Sequence, residues 1–179
     1  MNKKFIILGL ALMVAIGIVI RLVPHPANFT PVFAIALFAG FYLPKKWAII
    51  LPLSVMLLSE LFIGFYAWQL MLVVYGSIAL AGLIGVASKK NRNILTVVTS
   101  TLVASILFFL TTNFAVWYFS SWYTHDLSGL MLCYTLAVPF FKNSLMGNLF
   151  FVTVFFGSYE MVKLFVSQKL RILSTVKSK

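Results

Sequence analysis

Short clusters of Lys and Arg separate long apolar segments in this chain, and that alternation constrains its fold more than any other feature. Of its 179 residues, 62% are hydrophobic and 9% are charged, so no water-soluble domain of this size could bury the apolar surface. Cations placed in short clusters between apolar runs set orientation in a membrane and form no continuous patch for nucleic acid. We therefore predict an integral membrane protein whose partners include the lipid bilayer but no nucleic acid. The clusters are Lys3-Lys4, Lys45-Lys46, Lys89-Lys90 with Arg92, and Lys169, Arg171, Lys177 and Lys179.

Six apolar segments predict six transmembrane helices in one all-α domain, residues 1–179. They cover about 5–22, 31–43, 47–64, 68–87, 94–117 and 144–166. A helix needs roughly 20 residues to cross the hydrocarbon core, so the second segment is short. We expect the loop before it, residues 23–30, to lie over or within the outer side of the membrane, where irregular backbone can line a cavity. No Ala-x-Ala-like cleavage site follows the first segment, so we expect a retained helix rather than a signal peptide.

A further apolar stretch, residues 127–141, is too short for a comfortable span. A seventh span would also place the basic tail outside, against the usual excess of cations on the cytoplasmic side. We predict an extra interfacial or re-entrant helix that Pro139 ends, with Lys142 and Asn143 turning the chain into the last span. Both termini are then cytoplasmic, and only Arg21 and Lys142 are cations on the opposite side.

The polar residues of the apolar segments gather at the predicted outer side. An acid at membrane depth is costly unless it is paired or faces a cavity, and the nearest plausible cation for Glu60 is Arg21. Glu60 could hold two helices together, receive a polar group of a solute, or do both. Asn113 and Trp117 lie one helical turn apart and would suit a ring with polar edges, although Trp117 also fits the aromatic belt of a membrane interface. The candidate substrate-binding residues are Arg21, His25, Asn28, Glu60, Asn113, Trp117 and Asn143.

A metal site is the weaker interpretation of the same region. His25, His125 and Asp126 could join Glu60 around a transition metal, but their spacing forms no motif, and Asp126 is also a natural N-cap for the helix that follows it. The single cysteine, Cys133, excludes an internal disulfide and a cysteine-based metal site. The chain carries no motif of hydrolases, metalloproteases or phosphate-binding loops, so we expect neither an enzyme nor a cofactor.

Two smaller patterns predict packing. Ser77, Ala81 and Gly85 form a stripe of small residues on the fourth helix, which favours close contact with another helix, more plausibly within the protein than with a partner. Glu160 and Lys163 are three residues apart and are expected to form an ion pair.

Several stretches of the chain also carry a family resemblance. They are residues 21–31, the small residues Ala34, Ala36, Ala39 and Gly40, residues 112–114 with Trp117, Gly129-Leu130, Cys133-Tyr134, and residues 139–143 with Gly147. Together they resemble an uncharacterised bacterial family of membrane transport proteins. The resemblance covers most of the chain from Arg21 to Gly157.

More distantly, the size, the six helices and the polar outer mouth resemble the substrate-binding (S) components of energy-coupling factor (ECF) transporters. This resemblance implies an S-component-like fold that captures a vitamin-like solute and docks on a transmembrane coupling protein driven by two ATPases. S components often carry an Ala-x-x-x-Ala pattern on their first and third helices. Ala11 and Ala15 give this spacing in the first helix, whereas the third has no clean copy.

We therefore expect a component of the bacterial inner membrane that captures a small solute at the outer face for import. Two alternatives stay open at this stage. One is a transition-metal uptake component that uses His and acidic ligands, and the other is a membrane assembly or accessory protein that transports nothing.

Overall fold

The computed structural model describes residues 3–177, and within them the side chains of residues 9–168. All regular structure in this part is helical, which confirms the all-α class. The clusters Lys3-Lys4 and Lys169 to Lys179 lie outside the described side chains. The six helices are α1 (Lys3–Leu22), α2 (Val32–Tyr42), α3 (Lys45–Ile63), α4 (Trp68–Ser88), α5 (Ile94–Phe119) and α6 (Leu127–Lys177).

Four of these helices, α3 to α6, are long and apolar enough to cross a membrane. The other two include shorter apolar stretches, Gly9–Leu22 in α1 and Val32–Tyr42 in α2. The chain therefore has the helices of a membrane protein, and the second helix is short, as its apolar segment predicts.

The short helix α2 occupies the centre of the bundle. It contacts each of the other five helices, which follow one another around it in the order α1, α3, α4, α5 and α6. A helix that is apolar on all sides belongs in a protein interior, and α2 is buried along almost its whole length.

Glycines let the backbones of α2, α3 and α4 approach one another. A Cβ atom on Gly40 would overlap the Gly82 carbonyl, and a Cβ atom on Gly82 would overlap the carbonyl of Ala48. Pro52 cannot donate a hydrogen bond to that Ala48 carbonyl four residues earlier, so the oxygen is free to face α4. Gly85 packs on the Leu37 backbone, and the small-residue stripe of α4 is buried inside the protein, as predicted.

The N-terminal end of α2, at Val32, lies deeper in the bundle than the ends of the neighbouring helices. Its 11 residues rise only about 16 Å, roughly half of a bilayer core. The ring of Phe33 packs on Phe108 of α5 with centroids 4.9 Å apart, and α5 continues for about three more turns to Phe119. Among the described residues, no helix consequently fills the space beyond the Val32 end of α2. Glu60 lies in the last turn of α3 on this side, which we call the Glu60 end of the bundle.

The predicted separate helix at 127–141 is wrong, because α6 runs unbroken from Leu127 through Pro139. The proline removes one hydrogen bond, and packing on α5 holds the helix on both sides of it. On one side, the Tyr134 hydroxyl donates to the Leu110 carbonyl at 2.6 Å. On the other side, the ring of Phe141 lies 4.7 Å from that of Phe109. The turn predicted at Lys142 and Asn143 is therefore interior helix, and no turn is left for a seventh span in residues 127–177.

Asp126 caps the start of α6, as predicted. Its carboxylate accepts hydrogen bonds from the Gly129 backbone N–H at 2.7 Å and from the Thr124 hydroxyl at 2.9 Å. These two bonds hold the pKa of Asp126 below its ordinary value, so the carboxylate stays ionised and available as a cap.

Candidate functional site

Two adjoining cavities open at the Glu60 end, above the start of α2. The larger, which we call the Glu60 cavity, has a volume of about 440 Å³ and brings together Arg21, His25, Asn28 and Glu60. The smaller, the Asn113 cavity, has a volume of about 250 Å³. Four of the seven candidate residues thus line one cavity, and a fifth lines its neighbour. The two cavities share the lining residues Asn28, Tyr66, Val74, Phe108 and Ser144.

Glu60 and Arg21 form the predicted ion pair. The Nη2 atom of Arg21 lies 3.7 Å from Oε1 of Glu60, and Glu60 is only 1% exposed. The Nε–H of Arg21 donates to the Ser59 hydroxyl at 2.7 Å, and that hydroxyl donates to the Met56 carbonyl at 2.9 Å. The guanidinium is therefore held on α3 by a hydrogen bond to the Ser59 hydroxyl as well as by the charge of Glu60.

The two carboxylate oxygens of Glu60 have different surroundings. Oε2 accepts a hydrogen bond of 2.5 Å from the Tyr75 hydroxyl on α4. Oε1 is buried and accepts no hydrogen bond from any described residue, because Arg21 Nη2 at 3.7 Å is too distant for one. A buried acceptor without a partner is costly, and such a group on a residue that lines a cavity points to a donor that is supplied from elsewhere.

The loop between α1 and α2 closes one side of the Glu60 cavity. Asn28 adopts the left-handed conformation with φ of 65°, which is uncommon for residues other than glycine. Next to it, Phe29 packs its ring on Phe150 and Phe151 of α6, with centroids 5.9 and 5.4 Å away. Because Phe29 anchors the loop on α6, His25 and Asn28 are held at the cavity wall.

The Asn113 cavity is mostly apolar, with a few polar groups. Its walls include Phe108 and Phe109 of α5 and Phe140 and Phe141 of α6. The Asn113 amide donates to the Phe109 carbonyl of its own helix at 2.7 Å. An apolar chamber with few polar groups is typical of sites for small organic molecules.

The structure brings neither Trp117 nor Asn143 to these cavities. The indole N–H of Trp117 donates to the Thr124 carbonyl at 2.9 Å, and its ring packs edge-on against His125 at 5.7 Å. The Trp117 side chain therefore packs on the α5–α6 loop and does not line the Asn113 cavity. Asn143 lies inside α6, and its neighbour Ser144 lines the cavities instead, because successive residues of a helix point about 100° apart.

Three residues of the site were not predicted from the sequence. Tyr75 lies in an apolar segment whose pattern does not single it out. A tyrosine hydroxyl in a protein interior usually needs a hydrogen-bond partner, and this rule could have indicated its role. Tyr66, in the α3–α4 loop, lines both cavities. Burial and the nearby Glu60 carboxylate raise the pKa of Tyr66 to about 12, so its hydroxyl keeps its proton at neutral pH. Ser144, which is 4% exposed, carried no distinguishing signal.

The possible metal ligands are dispersed. His125 and Asp126 belong to the loop before α6, whereas His25 and Glu60 line the Glu60 cavity. Among the residues whose side chains are described, no three His, Cys, Asp or Glu side chains come together. The arrangement can offer one carboxylate oxygen and one imidazole to a ligand, and it resembles a solute pocket more than a coordination shell.

Comparison with known proteins places the chain in a family. No curated protein matches it, no solved structure matches it, and no match links it to the S components of ECF transporters. One family model, described as "Family of unknown function (DUF6580)", matches residues 1–170. Since this match covers nearly the whole sequence, the chain belongs to the DUF6580 family.

Proposed function

We propose that this protein is a membrane-embedded receptor that captures a small organic solute in the Glu60 and Asn113 cavities and serves its uptake. The observation that carries the proposal is the buried Oε1 oxygen of Glu60, which has no hydrogen-bond partner among the described residues although Glu60 lines a cavity of about 440 Å³. A residue that only joined helices would not need an open chamber beside it. The adjoining Asn113 cavity, which is mostly apolar, gives the apolar part of a solute a place to bind.

The proposal includes an orientation. The protein has six crossings in the bacterial inner membrane, with the Glu60 end outside and both termini cytoplasmic. The cations Lys45, Lys46, Lys89, Lys90 and Arg92 support this orientation, since all lie at or near the opposite ends of α3, α4 and α5. By resemblance to S components, a transmembrane coupling protein with ATPase subunits would be the partner that drives uptake.

A cavity-filling substitution tests the proposal. Val74 on α4 lines both cavities, so Val74→Trp should fill them. Leu72 on the same helix is 63% exposed and lines neither, so Leu72→Trp is the matched control. Each protein is purified in mild detergent, and small molecules that co-purify are identified by native mass spectrometry.

We expect a solute on the wild-type protein and on Leu72→Trp, and a loss of at least tenfold in its occupancy on Val74→Trp. A wild-type protein that carries and binds no small molecule would contradict the receptor function. Equal occupancy of the folded Val74→Trp variant would show that the solute binds somewhere else.

A further inference from the structure

We infer that the captured solute is a neutral, planar ring with an N–H group beside a carbonyl, as in a lactam or a ureide. This inference rests on the proposed function. The ring N–H would donate to Glu60 Oε1, and the ring carbonyl would accept a hydrogen bond from the Arg21 guanidinium.

The donors of Arg21 and the acceptors of Glu60 that have no partner among the described residues determine which groups the solute must carry. Tyr75 satisfies Oε2 of Glu60, and Oε1 remains without a donor. An ionised carboxylate oxygen can only accept, so the solute must supply an N–H or O–H. Arg21 uses its Nε–H for Ser59. A guanidinium has five N–H donors, so its Nη atoms can still donate into the cavity that Arg21 lines.

The charge of the pair excludes strongly ionic solutes. A cation drawn to Glu60 would lie beside Arg21, and an anion drawn to Arg21 would lie beside Glu60, because the two groups are only 3.7 Å apart. In a site of low dielectric constant that repulsion cancels most of the attraction. A neutral group with one donor and one acceptor satisfies both partners and leaves the ion pair intact.

The distances agree with a donor and acceptor on adjacent ring atoms. In a planar amide edge, the nitrogen and oxygen are about 2.3 Å apart, as standard bond lengths require. Their partners here are separated by 3.7 Å, so two hydrogen bonds of ordinary length would diverge only slightly. The remainder of the ring would extend past Phe108, which lines both cavities, toward the aromatic walls of the Asn113 cavity.

Two probes that differ by one methyl group test the donor. Quinazolin-4(3H)-one has the N–H and carbonyl on adjacent atoms, and its 3-methyl derivative keeps the carbonyl but lacks the N–H. Binding of each probe to the full-length purified protein is measured by saturation-transfer NMR titration. We expect the N–H compound to bind at least tenfold more tightly, because the methylated probe leaves Glu60 Oε1 buried and unpaired.

A pair of isosteric variants assigns the preference to Glu60. In Glu60→Gln, the Tyr75 hydroxyl keeps the amide oxygen as its acceptor, so the amide NH₂ takes the place of Oε1 and faces the probe N–H. The preference should fall below twofold. Glu160→Gln makes the same change at a half-exposed acid near the Tyr42 end of α2, and it should keep the tenfold preference.

Several results would overturn the inference. They are equal binding of the two probes, a preference that survives in Glu60→Gln, no binding of either probe up to its solubility limit, and tighter binding of benzylamine or benzoate than of the N–H probe. If a solute co-purifies and is lost from Val74→Trp while either probe result fails, the receptor function stands and this solute class is rejected.

Discussion

At the scale of single residues, one acid, Glu60, carries the electrostatic cost of a buried charge. Glu60 is buried, with one carboxylate oxygen satisfied by Tyr75 and the other without a hydrogen-bond partner, and Arg21 is the cation beside it among the described side chains. The same residues can therefore form a structural ion pair and a solute site. The ion pair depends on the opposite charges of the two side chains, whereas a solute would bind to their hydrogen-bonding atoms that remain without a partner.

Removing one member of the pair should separate these roles. Arg21→Ala leaves a buried carboxylate without its cation, so we expect the free energy of unfolding to fall by about 3–5 kcal/mol and solute binding to weaken with it. The double variant Arg21→Ala/Glu60→Ala should regain most of the stability but none of the binding. Thermal unfolding in detergent and occupancy by native mass spectrometry give the two readouts. Recovery of binding in the double variant would make the pair purely structural.

At the scale of elements, the contact between α3 and α4 depends on a missing side chain. Gly82→Ala would place a methyl group against the Ala48 carbonyl, and backbone cannot move aside as a side chain can. We expect a loss of about 1–3 kcal/mol in the free energy of unfolding, the usual cost of overpacking. Gly76 lies on the same helix with open space around its Cα, so Gly76→Ala should be neutral or slightly stabilising. Equal thermal stability of the two variants would contradict this close packing.

The α1–α2 loop is the element that we expect to respond to a solute. Ala27 is exposed and lies between the cavity-lining residues His25 and Asn28, and two prolines limit the conformations the loop must give up when it orders. In a Cys133→Ala background, Ala27→Cys should react quickly with a maleimide without solute and at least fivefold more slowly with the co-purifying solute. Unchanged labelling with a solute that demonstrably binds would make the loop a plain connector.

At the scale of the whole molecule, the unbroken α6 keeps the number of helices even. A fluorescent protein fused after Lys179 should therefore fluoresce, whereas alkaline phosphatase there should be inactive. The same reporters inserted after Trp122, in the α5–α6 loop, should give the opposite result. Active phosphatase after Lys179 would contradict the proposed orientation.

Much of this architecture could be predicted from sequence, because polar and helix-breaking residues bound the apolar runs. Lys45 begins α3 and Gly64 follows its end, and the expected ends of α2 to α5 lie within two residues of those observed. Pro139 misled the prediction because packing on α5 outweighs one lost hydrogen bond. The Arg21–Glu60 pair was predictable because few charges lie in the apolar segments. Tyr75 and Ser144 were not, because helix rotation decides which residues face a cavity.

The shortness of α2 has a consequence for what the protein can do alone. The Glu60 cavity ends at Val32 and Phe33, and from there to Phe41 every residue of α2 except Phe38 is buried. From this packing we expect a solute bound there to exchange with one side of the bilayer, because the described residues of α2 fill the centre of the bundle on the other side. We therefore expect vesicles that contain this protein alone to conduct no current and to keep their solute gradients, and we expect net movement across the bilayer to require a second protein.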